Sequence, residues 1–154
     1  MDTVFIPSTI LISELALGDL RQYLHNGNKI SSLQKLSEKN LIYFLKHIIY
    51  AINVLQKHNI VHGDLHTGNI LIIIKENDMI PIIHDFCKSE FLAYLTFNNI
   101  IQDISDFIRV LDHEIRNKKY PILKKYIYDI EKLIKSHKKN RNIMNIITDY
   151  IYMV

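Results

Sequence analysis

A mainly helical α+β domain carrying a small sheet at one edge is predicted by three observations. Apolar residues recur at helical spacing in four long stretches, from Ser37 to about Lys57, Ile100 to Arg116, Pro121 to Ser136 and Asn142 to Met153. Two short β-rich runs, Ile70 to Ile74 and Ile80 to His84, flank the polar turn Glu76-Asn77-Asp78 and read as a hairpin. The 154 residues are 48% hydrophobic and 23% charged, the length and balance of one globular domain with a buried core.

Thr9 to Glu14 (TILISE) opens the chain as a β-rich run that reads as a strand. Gly18-Asp19 then starts a brief helix, Leu20 to His25, closed by the turn Asn26-Gly27-Asn28. Ser37 suits the N-cap of the next helix, whose residues Leu41, Phe44, Leu45, Ile48, Ile49, Ile52 and Leu55 make an apolar stripe at the centre of the expected core. After the hairpin only helices remain. Pro121 fits the first turn of its helix, where a missing N–H costs nothing. No internal repeat, low-complexity linker or second domain interrupts residues 1–154.

A net charge of +3 is too small to imply a nucleic-acid partner. The lysines gathered between Lys118 and Lys139 alternate with Ile, Leu and Tyr, as solvated faces of amphipathic helices do. Cys87 is the single cysteine, which excludes an intramolecular disulfide and favours a reducing compartment. Met1 to Ser13 has no basic segment ahead of its apolar residues, and no apolar run reaches the ~20 residues that span a bilayer. An intracellular, cytoplasmic protein with no membrane partner is expected. Heavy use of Ile, Asn and Lys suits an AT-rich genome such as a large DNA virus, which would make the location host cytoplasm or virion.

The chemistry-bearing stretch is His62-Gly63-Asp64-Leu65-His66-Thr67-Gly68-Asn69, followed after the hairpin by Asp85-Phe86. An aspartate, an asparagine five residues on and a second aspartate beyond two short strands suit metal-assisted phosphoryl transfer. One carboxylate can orient a hydroxyl nucleophile while an amide oxygen and the other carboxylate hold Mg²⁺. His62 and His66 have the i, i+4 spacing of helical zinc ligands, but Gly63 and Gly68 argue for a loop and no glutamate follows the first histidine. His84 reads as the last residue of a strand. Cys87 reads as a small buried filler, and the tyrosines Tyr120, Tyr126, Tyr128, Tyr150 and Tyr152 as helix packing.

These residues resemble the C-terminal lobe of the protein-kinase-like superfamily. His62-Gly63-Asp64 looks like the His-Arg-Asp of its catalytic loop, with Asn69 at the expected offset, and Asp85-Phe86-Cys87 looks like Asp-Phe-Gly. Asp103 resembles the aspartate that opens the long central helix and braces the catalytic loop from beneath. Ile12-Ser13-Glu14-Leu15, followed by Gly18-Asp19-Leu20, looks like the hinge strand and the helix after it. The resemblance runs from about Thr9 to Arg116, with residues 117–154 as C-terminal helices. It implies a C-lobe with a small β-hairpin that uses ATP and Mg²⁺. Asp64 would accept the substrate hydroxyl's hydrogen bond and take its proton, and Asn69 and Asp85 would chelate the metal. Leu71 would lie under the adenine, with Glu14, Leu15 and Ala16 at its edge. His62 and Phe86 would pack together as struts. His66 stands where Ser/Thr kinases usually carry a lysine that steadies the transferred phosphate, and Gly-Asp-Leu-His here is more familiar from aminoglycoside and choline phosphotransferases.

Three departures shape the expected function. About eight residues precede the hinge-like strand, leaving no room for an N-lobe, and no Gly-x-Gly-x-x-Gly loop occurs in the chain. Cys87 replaces the glycine after Asp85-Phe86, and the span from Asp85 to Asp103 is short, with no Ala-Pro-Glu after it. The expectation is a phosphotransferase acting on a hydroxyl, protein Ser/Thr before a small molecule, with a partner protein covering the face an N-lobe would cover. The rival is a non-catalytic, pseudokinase-like binding module, whose exposed face around Leu71, Phe86 and the hinge would dock on another protein.

Overall fold

The structure, a computed structural model, describes residues 16–26, 36–76 and 78–153. The strand expected at Thr9 to Glu14, and Gly27, Asn28 and Asn77 of the expected turns, lie outside the described residues. Twelve elements follow in order among those described. They are β1 (Gly18–Asp19), α1 (Leu20–Asn26), α2 (Glu38–Lys57), β2 (Ile60–Val61), a 3-10 turn (Thr67–Asn69), β3 (Ile70–Lys75) and β4 (Asp78–Ile83), then a second 3-10 turn (Phe86–Lys88), β5 (Glu90–Phe91), α3 (Phe97–Ile115), α4 (Pro121–Ser136) and α5 (Ile143–Met153). The fold is mainly helical with small antiparallel sheets, as a kinase-like C-lobe requires.

Ser37 caps α2 reciprocally: its hydroxyl accepts from the Asn40 N–H at 3.2 Å, and Asn40 Oδ1 accepts from the Ser37 N–H at 3.1 Å. The helix buries Leu41, Phe44, Leu45, Ile48, Ile49 and Ile52 and packs against α3, α4, α5 and β4, so its stripe is the middle of the core. Asn59, at φ 58°, turns the chain out of the helix. α3 begins at Phe97, three residues earlier than its apolar periodicity predicts. Thr96 and Asn99 form a second reciprocal cap there, and a cap precedes the first buried residue. Its inner face is Ile100, Ile104, Phe107, Ile108, Leu111 and Ile115.

β1, β3 and β4 form one antiparallel sheet in the order β1-β3-β4, with Asp19 opposite Leu71 and Leu71 opposite Ile82. Gly18-Asp19 therefore pairs with β3 before the helix begins, and Asp19 Oδ1 accepts from the Gln22 N–H at 2.8 Å to start α1. A second pair, β2 with β5, ties Ile60-Val61 to Glu90-Phe91. Two residues per strand are too few to leave a periodic signal, so the sequence does not predict this pair.

The expectation that the tail tyrosines pack holds for Tyr126 and Tyr150, whose rings lie 6.2 Å apart. It fails for Tyr128 and Tyr152, which are exposed because they fall on the outer faces of α4 and α5. No helix among the described residues is long and apolar enough to cross a membrane.

α4 has no cap of its own, since Tyr120 makes no side-chain bond to it. Glu38 Oε1, in the first turn of α2, instead accepts from the N–H groups of Ile122 and Leu123 at 2.7 and 2.9 Å. One carboxylate thereby serves two helix N-termini, each of which favours negative charge. Glu38→Ala should lower stability by about 1–2 kcal/mol in urea unfolding and speed amide exchange at Ile122 and Leu123 ahead of other α4 amides.

Candidate active site

β2 delivers the chain into a loop that is braced from below. Asp103, wholly buried on α3, accepts from the His62 N–H at 2.8 Å with one oxygen and from the Gly63 N–H at 2.9 Å with the other. A buried carboxylate is tolerable when its oxygens are bonded, and these two bonds fix the entry to the loop. Gly63 has φ 78°, and a Cβ there would stand 2.5 Å from the Lys88 carbonyl oxygen. Glycine is the residue that meets both conditions.

Inside the loop, the His62 ring donates from Nε2 to the His84 carbonyl at 2.9 Å, and Nδ1 faces the Asp64 N–H at 3.4 Å. These partners select the tautomer protonated on Nε2. The ring also meets Phe86, centroid to centroid 4.8 Å, although Phe86 is partly exposed. Asn69, buried, donates from Nδ2 to the Asp64 carbonyl at 2.9 Å, which sets the amide flip and leaves Oδ1 as the atom available to a cation.

His84 is the residue that sequence reasoning undervalued. Its N–H donates to the Asn69 carbonyl at 3.1 Å and its Nε2 to the Gly68 carbonyl at 3.2 Å, while its own carbonyl takes the His62 bond. Three hydrogen bonds thus stitch the catalytic-type loop to the segment that carries Asp85. The available signal was its position immediately before Asp85.

Asp85 adopts the left-handed conformation (φ 60°, ψ 69°) and heads the second 3-10 turn. The Cys87 thiol and N–H both bond its carboxylate and hold its pKa below the usual carboxylate value. Cys87 itself is exposed, which corrects the expectation of a buried filler: every residue of this 3-10 turn lies at the surface. Its bond to Asp85 and that residue's charge push the thiol pKa up, so exposure does not bring a reactive thiolate. Lys88 Nζ lies 2.8 Å from Asp64 Oδ2. That hydrogen bond, ahead of the lysine's longer-range charge, keeps the Asp64 carboxyl below its usual range and raises the Lys88 ammonium.

His66 turns back on its own loop: Nδ1 accepts from the Gly68 N–H at 3.1 Å and caps the first 3-10 turn. Leu71, half-buried, and Ile82 are cross-strand partners on one face of the β3–β4 hairpin. Ala16 precedes Leu17, whose N–H bonds the Ile72 carbonyl at 2.8 Å, so the hinge-like end reaches this sheet. Glu14 and Leu15 lie outside the described residues. Asp64, Asn69, Asp85, His62, Phe86 and Asp103 are thus brought together through one hydrogen-bonded loop.

Asp103→Asn keeps the shape but sets an amide N–H against a backbone N–H. It should cost about 1–3 kcal/mol in thermal or urea unfolding and accelerate amide exchange at His62 and Gly63.

No curated protein matches the chain. A family model described as protein tyrosine and serine/threonine kinase matches residues 4–107, which takes in the loop, the hairpin and the bracing aspartate. With more than half of its length under that match, the chain belongs to the protein tyrosine and serine/threonine kinase family.

Proposed function

We propose that the chain is the catalytic-loop part of an ATP- and Mg²⁺-dependent phosphotransferase, with a protein serine or threonine hydroxyl as acceptor. The observation that carries this reading is the placement of Asp64 and Asn69 on a loop fixed by Asp103, with Asp85 held beside it through the bonds of His84. A scaffold has no chemical need of all three.

The donors fit the metal. Asn69 Oδ1 and the Asp85 carboxylate are oxygen ligands, as a hard cation prefers, and Mg²⁺ takes one or two such ligands beside waters and phosphates. When bound, the ion would neutralise charge on the nucleotide phosphates. Asp64, held ionised by Lys88, accepts the hydrogen bond of the acceptor hydroxyl and orients its lone pair along the line of attack. The acceptor O–P bond forms as the bond between the γ-phosphorus and the β–γ bridging oxygen breaks. ADP leaves, and the hydroxyl proton passes to Asp64. Leu71 and Ile82 offer an apolar floor for the adenine.

The glycine-rich loop of an N-lobe, and the lysine that goes with it there, are not among these 154 residues. They would come from another polypeptide segment or a partner chain. Exposed Ile82 and Phe86 support a protein covering on that side.

In calorimetry with ATP, binding should require Mg²⁺, and Asp85→Ala should weaken it at least about tenfold. Asp64→Asn should cut phosphotransfer by roughly 10²–10⁴-fold while leaving ATP affinity unchanged; transfer that survives this substitution rules out the assigned base. The lowered Asp64 pKa also sets the pH profile. Because the ionised carboxylate is the working form, the rate should hold as pH falls through the ordinary carboxylate range and drop below it.

A further inference from the structure

We infer that Lys88 is the cation of the transfer site: held against Asp64, its ammonium meets the γ-phosphoryl oxygens as the acceptor hydroxyl attacks. The inference rests on the phosphotransferase reading above. Lys88 Nζ stands 2.8 Å from Asp64 Oδ2, the carboxylate that would receive the hydroxyl proton. A group that close to the base is within one further contact of the oxygen–phosphorus bond being formed. The loop from His62 to Asn69 contains no lysine or arginine of its own. His66, within that loop, has Nδ1 committed to the Gly68 N–H.

The approach of Lys88 is built into the backbone. The Lys88 carbonyl oxygen lies 2.5 Å from where a Cβ on residue 63 would stand, so the glycine in His62-Gly63-Asp64 is what lets the Lys88 segment close on the loop. Lys88 also ends the 3-10 turn headed by Asp85, so one short turn carries both a metal-type carboxylate and this ammonium. An exposed ion pair of this kind contributes little to stability. Its value lies in where it puts the charge. An ammonium has three donors on a flexible stem, so Lys88 can keep one on Asp64 and turn another to a phosphoryl oxygen. The ammonium keeps its protons throughout; the hydroxyl proton still goes to Asp64 and ADP still departs with the β–γ bridging oxygen.

The test compares Mg·ATP and Mg·ADP binding by calorimetry, on the full chain and on Lys88→Met and Lys88→Arg. Melting curves would establish that both variants fold, as an exposed side chain allows. Lys88→Met should weaken Mg·ATP about tenfold and leave Mg·ADP within about twofold, because the missing contact is to the γ-phosphate alone. Lys88→Arg should keep most of the ATP preference. If the unsubstituted chain binds both nucleotides and Lys88→Met leaves their ratio unchanged, the inference is overturned while the phosphotransferase reading stands. Tighter ATP binding by Lys88→Met also overturns it, since the pair would then be a lock on Asp64. If the unsubstituted chain binds neither nucleotide, the phosphotransferase reading fails and takes this inference with it.

Discussion

One buried carboxylate holds this molecule's chemistry to its core. Asp103 has no solvent to share its charge, and both of its oxygens are taken by the first two backbone N–H groups of the loop. Removing a carboxylate from water is tolerable only with such bonds in place. The rest of the site hangs from them in sequence. The backbone at His62 fixes its ring, the ring holds the His84 carbonyl, and His84 holds Gly68 and Asn69 while leading directly into Asp85. A helix whose inner face is apolar but for this one residue thus sets the position of carboxylates at the surface.

Polar side chains elsewhere in the interior work in the same way, as joints between helices. Gln56, buried on α2, donates to the Ile100 carbonyl at 2.5 Å in the first turn of α3. Asn53, one turn earlier, donates to Asn145 and Thr148 of α5, both at 3.3 Å. Lys124 of α4 closes the other end of α3, donating to the carbonyls of Arg116 and Lys118 at 2.8 and 3.0 Å. That bond uses the helix end that favours positive charge. Some of the C-terminal lysines are therefore architectural and not only solvated.

What was legible in the sequence was what spacing or side-chain chemistry specifies locally. Helices α2 and α4 could be bounded because Ser37 and Pro121 mark their starts and the apolar stripe runs unbroken. The loop from His62 to Asn69 stood out because carboxylate, amide and glycines sit at offsets that suit one purpose. Pairings between distant short segments were hidden. β2 and β5 have two residues each, and nothing in Glu90-Phe91 names Ile60-Val61 as its partner. The Lys88–Asp64 ion pair joins two loops 24 positions apart, and three-dimensional closure brings it about. Cys87 departs from expectation because the rule that small thiols are mostly buried gives way in a surface 3-10 turn.

The stretch from Asp85 to Thr96 is tethered along its length. Asp85 Oδ1 accepts from the Cys87 N–H, Lys88 is bound to Asp64, Glu90-Phe91 is paired with β2, and the Leu92 N–H donates to the Asn59 carbonyl at 2.9 Å. Thr96 then enters a capped helix directly. A chain this short and this often anchored has little slack, so lifting it off would break several bonds to free a handful of backbone dihedrals. Order–disorder switching needs a segment whose released state recovers substantial entropy. Here that reserve is small, and the segment behaves as a fixed wall of the site.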